Sequence, residues 1–270
     1  MQRKTSILTF NYTLFLVLLF LSGMLKGAFS EIIYYLAFAV PVVITLLLTR
    51  GDGVEKKKYL TIDSEGVRRF LPLVFPTITV IIIISILTSM LIYAVSSKTN
   101  DVDIGDSFVL ALLTHALLPA LLEEALFRYL PMRLLAPHSP RGAIIISAFF
   151  FSLVHADLFT IPYALFAGVI LMTVDIACDS IIPSIVIHFI NNALSVVMMF
   201  MEDSPFTVLG IYAILILLTI ISIFAIVELK DDYETALIIV SDKGEGVKFT
   251  PGMLLFAALT LAVAIMNLLL

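Results

Sequence analysis

Charge is what this sequence has least of. Of 270 residues only 14% are charged, against 61% hydrophobic, whereas a soluble domain carries about 25% charged residues. That shortfall excludes a sizeable soluble domain. Cysteine is scarce too: Cys178 stands alone. It excludes an internal disulfide and leaves the redox compartment undetermined. The net charge of −5 is small and the basic residues sit in short loops, so nucleic acid is not an expected partner. No internal repeat or low-complexity segment stands out.

Apolar runs of about 18 or more residues recur from end to end, each long enough to cross a hydrocarbon core of about 30 Å. The expected fold is therefore an all-α polytopic membrane protein. It is a single membrane domain over 1–270, with eight or nine transmembrane helices around a buried polar site. Spans are expected near 7–25, 32–49, 71–95, 108–128, 142–157, 161–178, 181–201, 207–228 and 252–270. MQRKTS and Ala28-Phe29-Ser30 superficially resemble a signal peptide and its cleavage site. A signal's apolar core spans only about 7–15 residues, so the longer run at 7–25 is expected to be a retained first span.

Orientation follows the lysines and arginines. Arg3 and Lys4 precede the first span, and the loop at 50–69 holds Lys56, Lys57, Lys58, Arg68 and Arg69. The loop at 128–141 has three arginines, while 96–107 has one lysine against Asp101, Asp103 and Asp106. The basic side alternates with every crossing. The N-terminus is expected in the cytoplasm, and nine spans would leave the C-terminus outside.

Against this background a few polar residues stand out. The run Phe108–Phe127 ends in LLEEALFR, Leu121–Arg128. An ionised side chain at a bilayer centre costs about 2.5–3.5 kcal/mol on insertion scales, so intramembrane carboxylates are rare and usually functional. Glu124 and Arg128 are spaced i, i+4 and form the expected ion pair. Glu123, rotated about 100° from Glu124, points elsewhere and suits a general base. Pro119 removes the backbone bond to the His115 carbonyl, which predicts a kink before the glutamates. His115 itself is expected to be a packed interior histidine. Two later spans also carry polar residues: His155, one turn after Phe151 on the same helical face, and His188 with Asn192 on another. Polar groups at membrane depth must find one another, so the three segments are expected to share a site. Depth is consistent for the glutamates and His188. His155, some thirteen residues into its span, fits only if that helix tilts strongly or begins outside the membrane near Pro140.

Serine and cysteine hydrolysis lack support: there is no Gly-x-Ser-x-Gly elbow, and Cys178 has no adjacent base. His-Glu-x-x-His is absent, and the expectation is a site without metal or cofactor. A glutamate and two histidines could still hold zinc with a water. Metal-free hydrolysis needs a base for water and donors for an oxyanion. Glu123 with His155 can supply the first and His188 with Asn192 the second. A proton-coupled transporter could use the same residues as a relay, although no matching halves with broken segments are visible. A non-catalytic immunity or scaffold protein is the third reading.

Glu-Glu-x-x-x-Arg, Phe-x-x-x-His and His-x-x-x-Asn, in that order on separate spans, resemble the CaaX protease and bacteriocin-processing (abortive infection) family. Its best-known members are the Ras-converting CaaX prenyl endopeptidases. The resemblance covers roughly 108–200 and includes DSIIPSIVIHFINN, Asp179–Asn192. It implies an intramembrane glutamate protease that removes the C-terminal tripeptide from prenylated CaaX proteins. By motif position Glu123 and His155 would activate water, and His188 and Asn192 would hold the oxyanion. Glu124, Arg128 and Phe151 would shape the site. The implied partners are a prenylated C-terminal CaaX peptide or protein and the lipid bilayer, with the site opening to the cytoplasmic side.

Overall fold

Where neither water nor a partner chain can satisfy the backbone, each apolar run must bond within itself, and helix is the form that does so. In the computed structural model the described residues are accordingly helical, joined by short turns. The structure describes residues 2–50, 59–96, 107–201, 205–228 and 249–269, with Lys230, Glu234, Ser241, Gly246 and Val247. Nine helices follow in order among them. They are α1 (Gln2–Met24), α2 (Ala28–Leu48), α3 (Ser64–Ser96), α4 (Phe108–Leu134), α5 (Pro140–Leu153), α6 (Thr160–Cys178), α7 (Ile182–Phe200), α8 (Pro205–Glu228) and α9 (Pro251–Leu269). The architecture is that of an all-α polytopic membrane protein.

Six of these, α1 to α4, α6 and α7, are long and apolar enough to cross a membrane. The remaining apolar stretches are shorter: all of α5, Tyr212–Glu228 in α8 and Pro251–Asn267 in α9. The expected full span at 142–157 is the clearest difference. Helix α5 begins at Pro140 and has 14 residues, about 21 Å at the rise of an α-helix. It stops short of crossing by itself. Its end is a turn in which Ala156 is left-handed, with φ 48°. His155 therefore belongs to that turn and not to the helix.

Helix α4 is built from alternating α and π segments. The two π segments, Leu112–Leu117 and Ala125–Tyr129, each lie just ahead of a proline, Pro119 and Pro131. A proline offers no N–H to the carbonyl four residues back. His115 and Phe127 lose that partner, and the chain answers with a wider turn. The Phe127 carbonyl accepts a hydrogen bond from the Ser147 hydroxyl of α5. The kink expected at Pro119 thus takes the form of a π segment, and a second one frames the motif residues.

The core lies where α1, α4, α5 and α9 meet, and it is aromatic. Tyr12 stacks on Phe150 at 4.4 Å and on Phe127 at 5.5 Å, and Phe150 meets Phe256 edge-on at 4.7 Å. The first helix, with Leu8, Tyr12 and Phe15 fully buried, is an integral part of this core. Helices α5 and α6 approach so closely that a Cβ on Gly168 would stand 2.8 Å from Ala148 Cα. Small residues permit such contacts between membrane helices. The α6–α7 turn is tied from two directions. Tyr59 accepts from the Ile181 N–H at 2.9 Å, and Arg69 of α3 donates to the Ala177 carbonyl at 3.1 Å.

Candidate active site

Glu123 and Glu124 occupy the last α-helical turn of α4 before its second π segment. One residue of rotation gives them different surroundings. The Glu124 side chain is fully buried, while that of Glu123 keeps 17% of its surface exposed. Glu124 Oε2 lies 3.2 Å from Arg128 Nε, also fully buried. The two atoms pair by charge and distance, but their angle makes no hydrogen bond. Arg128 is held on its other sides by the Ser147 hydroxyl at 3.3 Å and the Phe151 ring, 4.2 Å below its guanidinium carbon. Ring and cation attract in that arrangement. The ion pair expected from the i, i+4 spacing is present and more deeply buried than its position near the helix end suggested.

His188 of α7 stands between the two glutamates. Its Nδ1 is 2.7 Å from Glu124 Oε1, and its Nε2 is 4.0 Å from Glu123 Oε2. A carboxylate paired with arginine can only accept, so Nδ1 carries the proton and donates. The 4.0 Å separation is too long for a hydrogen bond. Glu123 and Nε2 are therefore near neighbours with no hydrogen bond between them.

Phe151 is the hub of the remaining contacts. Its ring meets His188 edge-on at 6.0 Å and His155 at 5.2 Å, and its carbonyl accepts from His155 Nδ1 at 2.9 Å. A carbonyl is acceptor only, which places a proton on Nδ1. His155 is exposed, and its Nε2 makes no hydrogen bond among the described residues. Asn192, half-buried one turn beyond His188, accepts from Asn191 Nδ2 at 3.4 Å. Asn191 also donates to the Tyr163 hydroxyl of α6 at 3.2 Å. No hydrogen bond joins Asn192 to His188 or to either glutamate among the described residues.

The structure thus gathers Glu123, Glu124, Arg128, Phe151 and His188 in direct contact or near it, with His155 joined through Phe151. Glu124, Arg128 and Phe151 form a buried layer, and Glu123, His155, His188 and Asn192 are the more accessible one. His115 is half-buried in the first π segment and takes no part in this set. Among the described residues no group of three His, Cys, Asp or Glu side chains is arranged to hold a metal ion.

Two contributors were not singled out from the sequence. Asp175 of α6 is fully buried, and its Oδ1 accepts from the Ser184 N–H at 3.0 Å. Ser184 is the third residue of α7, so a carboxylate from α6 satisfies one of the orphan donors at the start of the helix bearing His188. Ser147 of α5 bridges the Phe127 carbonyl and Arg128. Asp175 carried a visible signal, a carboxylate inside an apolar span. Ser147 carried none, because serine is common in membrane helices that pack closely.

Comparison with known families then meets this geometry. No curated protein and no solved structure matches the chain. Residues 105–194 match the Rce1-like family model, described as type II CAAX prenyl endopeptidase Rce1-like. All seven motif residues fall inside that segment, about a third of the chain. The likeness to the CaaX protease family is thereby shown over 105–194, and it supports a CaaX endopeptidase type of activity.

Proposed function

We propose that this chain is an intramembrane glutamate-dependent endopeptidase that removes the C-terminal tripeptide from prenylated CaaX proteins. The observation that carries the reading is the division between adjacent glutamates. Glu124 is committed to Arg128 and His188 in the buried layer, while Glu123 is partly exposed and stands 4.0 Å from His188 Nε2.

Glu123 takes a proton from water, with the free Nε2 of His155 as the second acceptor. The resulting hydroxide adds to the scissile carbonyl carbon, and the carbonyl oxygen becomes an oxyanion. Asn192 and His188 donate to it. When the tetrahedral species collapses, the C–N bond breaks and the proton held by Glu123 passes to the departing amine. General base catalysis contributes about 10²–10⁴-fold, and each oxyanion donor about 10²–10³. Since Nδ1–H of His188 is engaged by Glu124, Nε2 donates only when the ring carries both protons. The proposed role therefore requires the imidazolium.

The test is incubation of the purified protein with a prenylated CaaX peptide, followed by mass spectrometry of the products. Loss of the last three residues is expected. Glu123→Ala and His155→Ala should lower that rate by about 10²-fold or more each while the protein still folds. Near-normal turnover in a well-folded Glu123→Ala protein overturns the assignment.

A further inference from the structure

His155 sits on an unusual support. The turn after α5 passes through Ala156 at φ 48°, a region that residues with a Cβ seldom adopt. Its own bonds all run back to the end of α5: the Val154 N–H to Phe150 at 3.2 Å, the His155 N–H to Ser152 at 3.4 Å, the Ala156 N–H to Leu153 at 3.0 Å, and His155 Nδ1 to the Phe151 carbonyl at 2.9 Å. Beneath it lies an apolar cavity of about 500 Å³, bordered by Val154 and Ala156 of the turn, Leu19 and Phe20 of α1, and Leu259 and Val263 of α9. Val154 packs against the core on one side of the turn, and the cavity borders the turn on another.

One polar contact comes from outside. Asn267, near the end of α9, donates from Nδ2 to the Ala156 carbonyl at 3.0 Å. Asn267 is otherwise exposed, on a helix whose other residues in this stretch are apolar. It also lies far outside the segment 105–194 that matches the family model. We infer that Asn267 is a positioning residue for His155, fixing the left-handed turn so that the free Nε2 of the imidazole is aimed into the site. This inference rests on the catalytic role given to His155 above.

The decisive variant is Asn267→Leu, which removes the donor and keeps α9 apolar. Hydrogen exchange of the full-length protein in micelles, read by mass spectrometry, should show faster exchange in the peptide covering 153–157. Exchange in α1 and the rest of α9 should be unchanged. Asn267→Gln, which keeps an amide donor, should restore most of the protection. With a prenylated CaaX peptide, kcat of Asn267→Leu should fall by about 10–100-fold with KM little altered, the size expected when a catalytic group is misplaced by about an ångström. In a His155→Ala background the same substitution should lower the residual rate no further. Unchanged exchange at 153–157, or faster exchange spread over α1 and α9, overturns the inference, as does an additive effect on rate. If the parent protein cleaves no prenylated peptide, the proposed function fails, and the exchange arm still decides whether Asn267 holds the turn.

Discussion

A rotation of about 100° between neighbouring residues is enough to give two glutamates different chemistry. Glu124 has no exposed surface and faces Arg128, so Glu124→Ala leaves an arginine uncompensated in the interior, a change that costs about 3–5 kcal/mol. The expected result is a much lower melting midpoint in detergent. Glu123→Ala touches a partly open side chain and should leave the midpoint nearly unchanged while removing turnover. Measuring both quantities on the same preparations separates the roles, and equal destabilisation by the two would contradict them. The histidines give a second prediction, in pH. His188 must carry both protons to donate from Nε2, so kcat/KM falls on the alkaline side as the ring loses one. His188→Gln keeps an amide donor at every pH, and its weaker activity should lose the alkaline limb. An alkaline limb that survives the substitution assigns it to another group.

Helix α7 carries His188 and Asn192, and Asp175 of α6 sets where it begins. The Ser184 N–H needs only an oxygen acceptor, so Asp175→Asn should keep near-normal stability and turnover. Asp175→Ala removes the acceptor and should cost about 0.5–2 kcal/mol, the range for a lost helix cap, with a matching loss of turnover as α7 loosens. If Asn is as damaging as Ala, the carboxylate acts by charge and not as a cap. Much at this scale was legible beforehand. Apolar runs marked the long helices because their lengths match a bilayer, and the i, i+4 spacing of Glu124 and Arg128 marked their pair. The end of α5 was not legible. Residues 154–156 contain no glycine or proline to announce a turn, and the left-handed position falls on an alanine. Asp157, whose Oδ1 accepts from the N–H groups of Phe159 and Thr160 at 3.0 and 2.7 Å, is the signal that could have marked the restart of helix in α6. The second π segment was open to the same proline argument as the first. Pro131 does to Phe127 what Pro119 does to His115.

At the scale of the whole molecule, the site is joined to regions that carry none of its motifs. Tyr12 of α1 and Phe256 of α9 build the aromatic core behind Phe127 and Phe150, and Lys4 Nζ lies 2.9 Å from Nε2 of His138 in the α4–α5 connection. That contact brings the start of α1 and the α4–α5 connection to the same end of the molecule. Both segments are basic, with Arg3 and Lys4 in one and Arg133 and Arg141 beside the other, and basic connections stay on the cytoplasmic side. The orientation proposed from the charges is therefore one in which this end faces the cytoplasm. A single cysteine in the α4–α5 connection tests it. Ser139 is a poor place for one, since it is 2% exposed and its hydroxyl caps α5 by accepting from the Gly142 N–H at 3.1 Å. Pro137 is exposed, so Pro137→Cys in a Cys178→Ser background presents a thiol without disturbing the cap. In intact cells this thiol should react with a membrane-permeant maleimide and resist an impermeant one until the membrane is opened. Ready labelling by the impermeant reagent in sealed cells would invert the topology and turn the site to the opposite face.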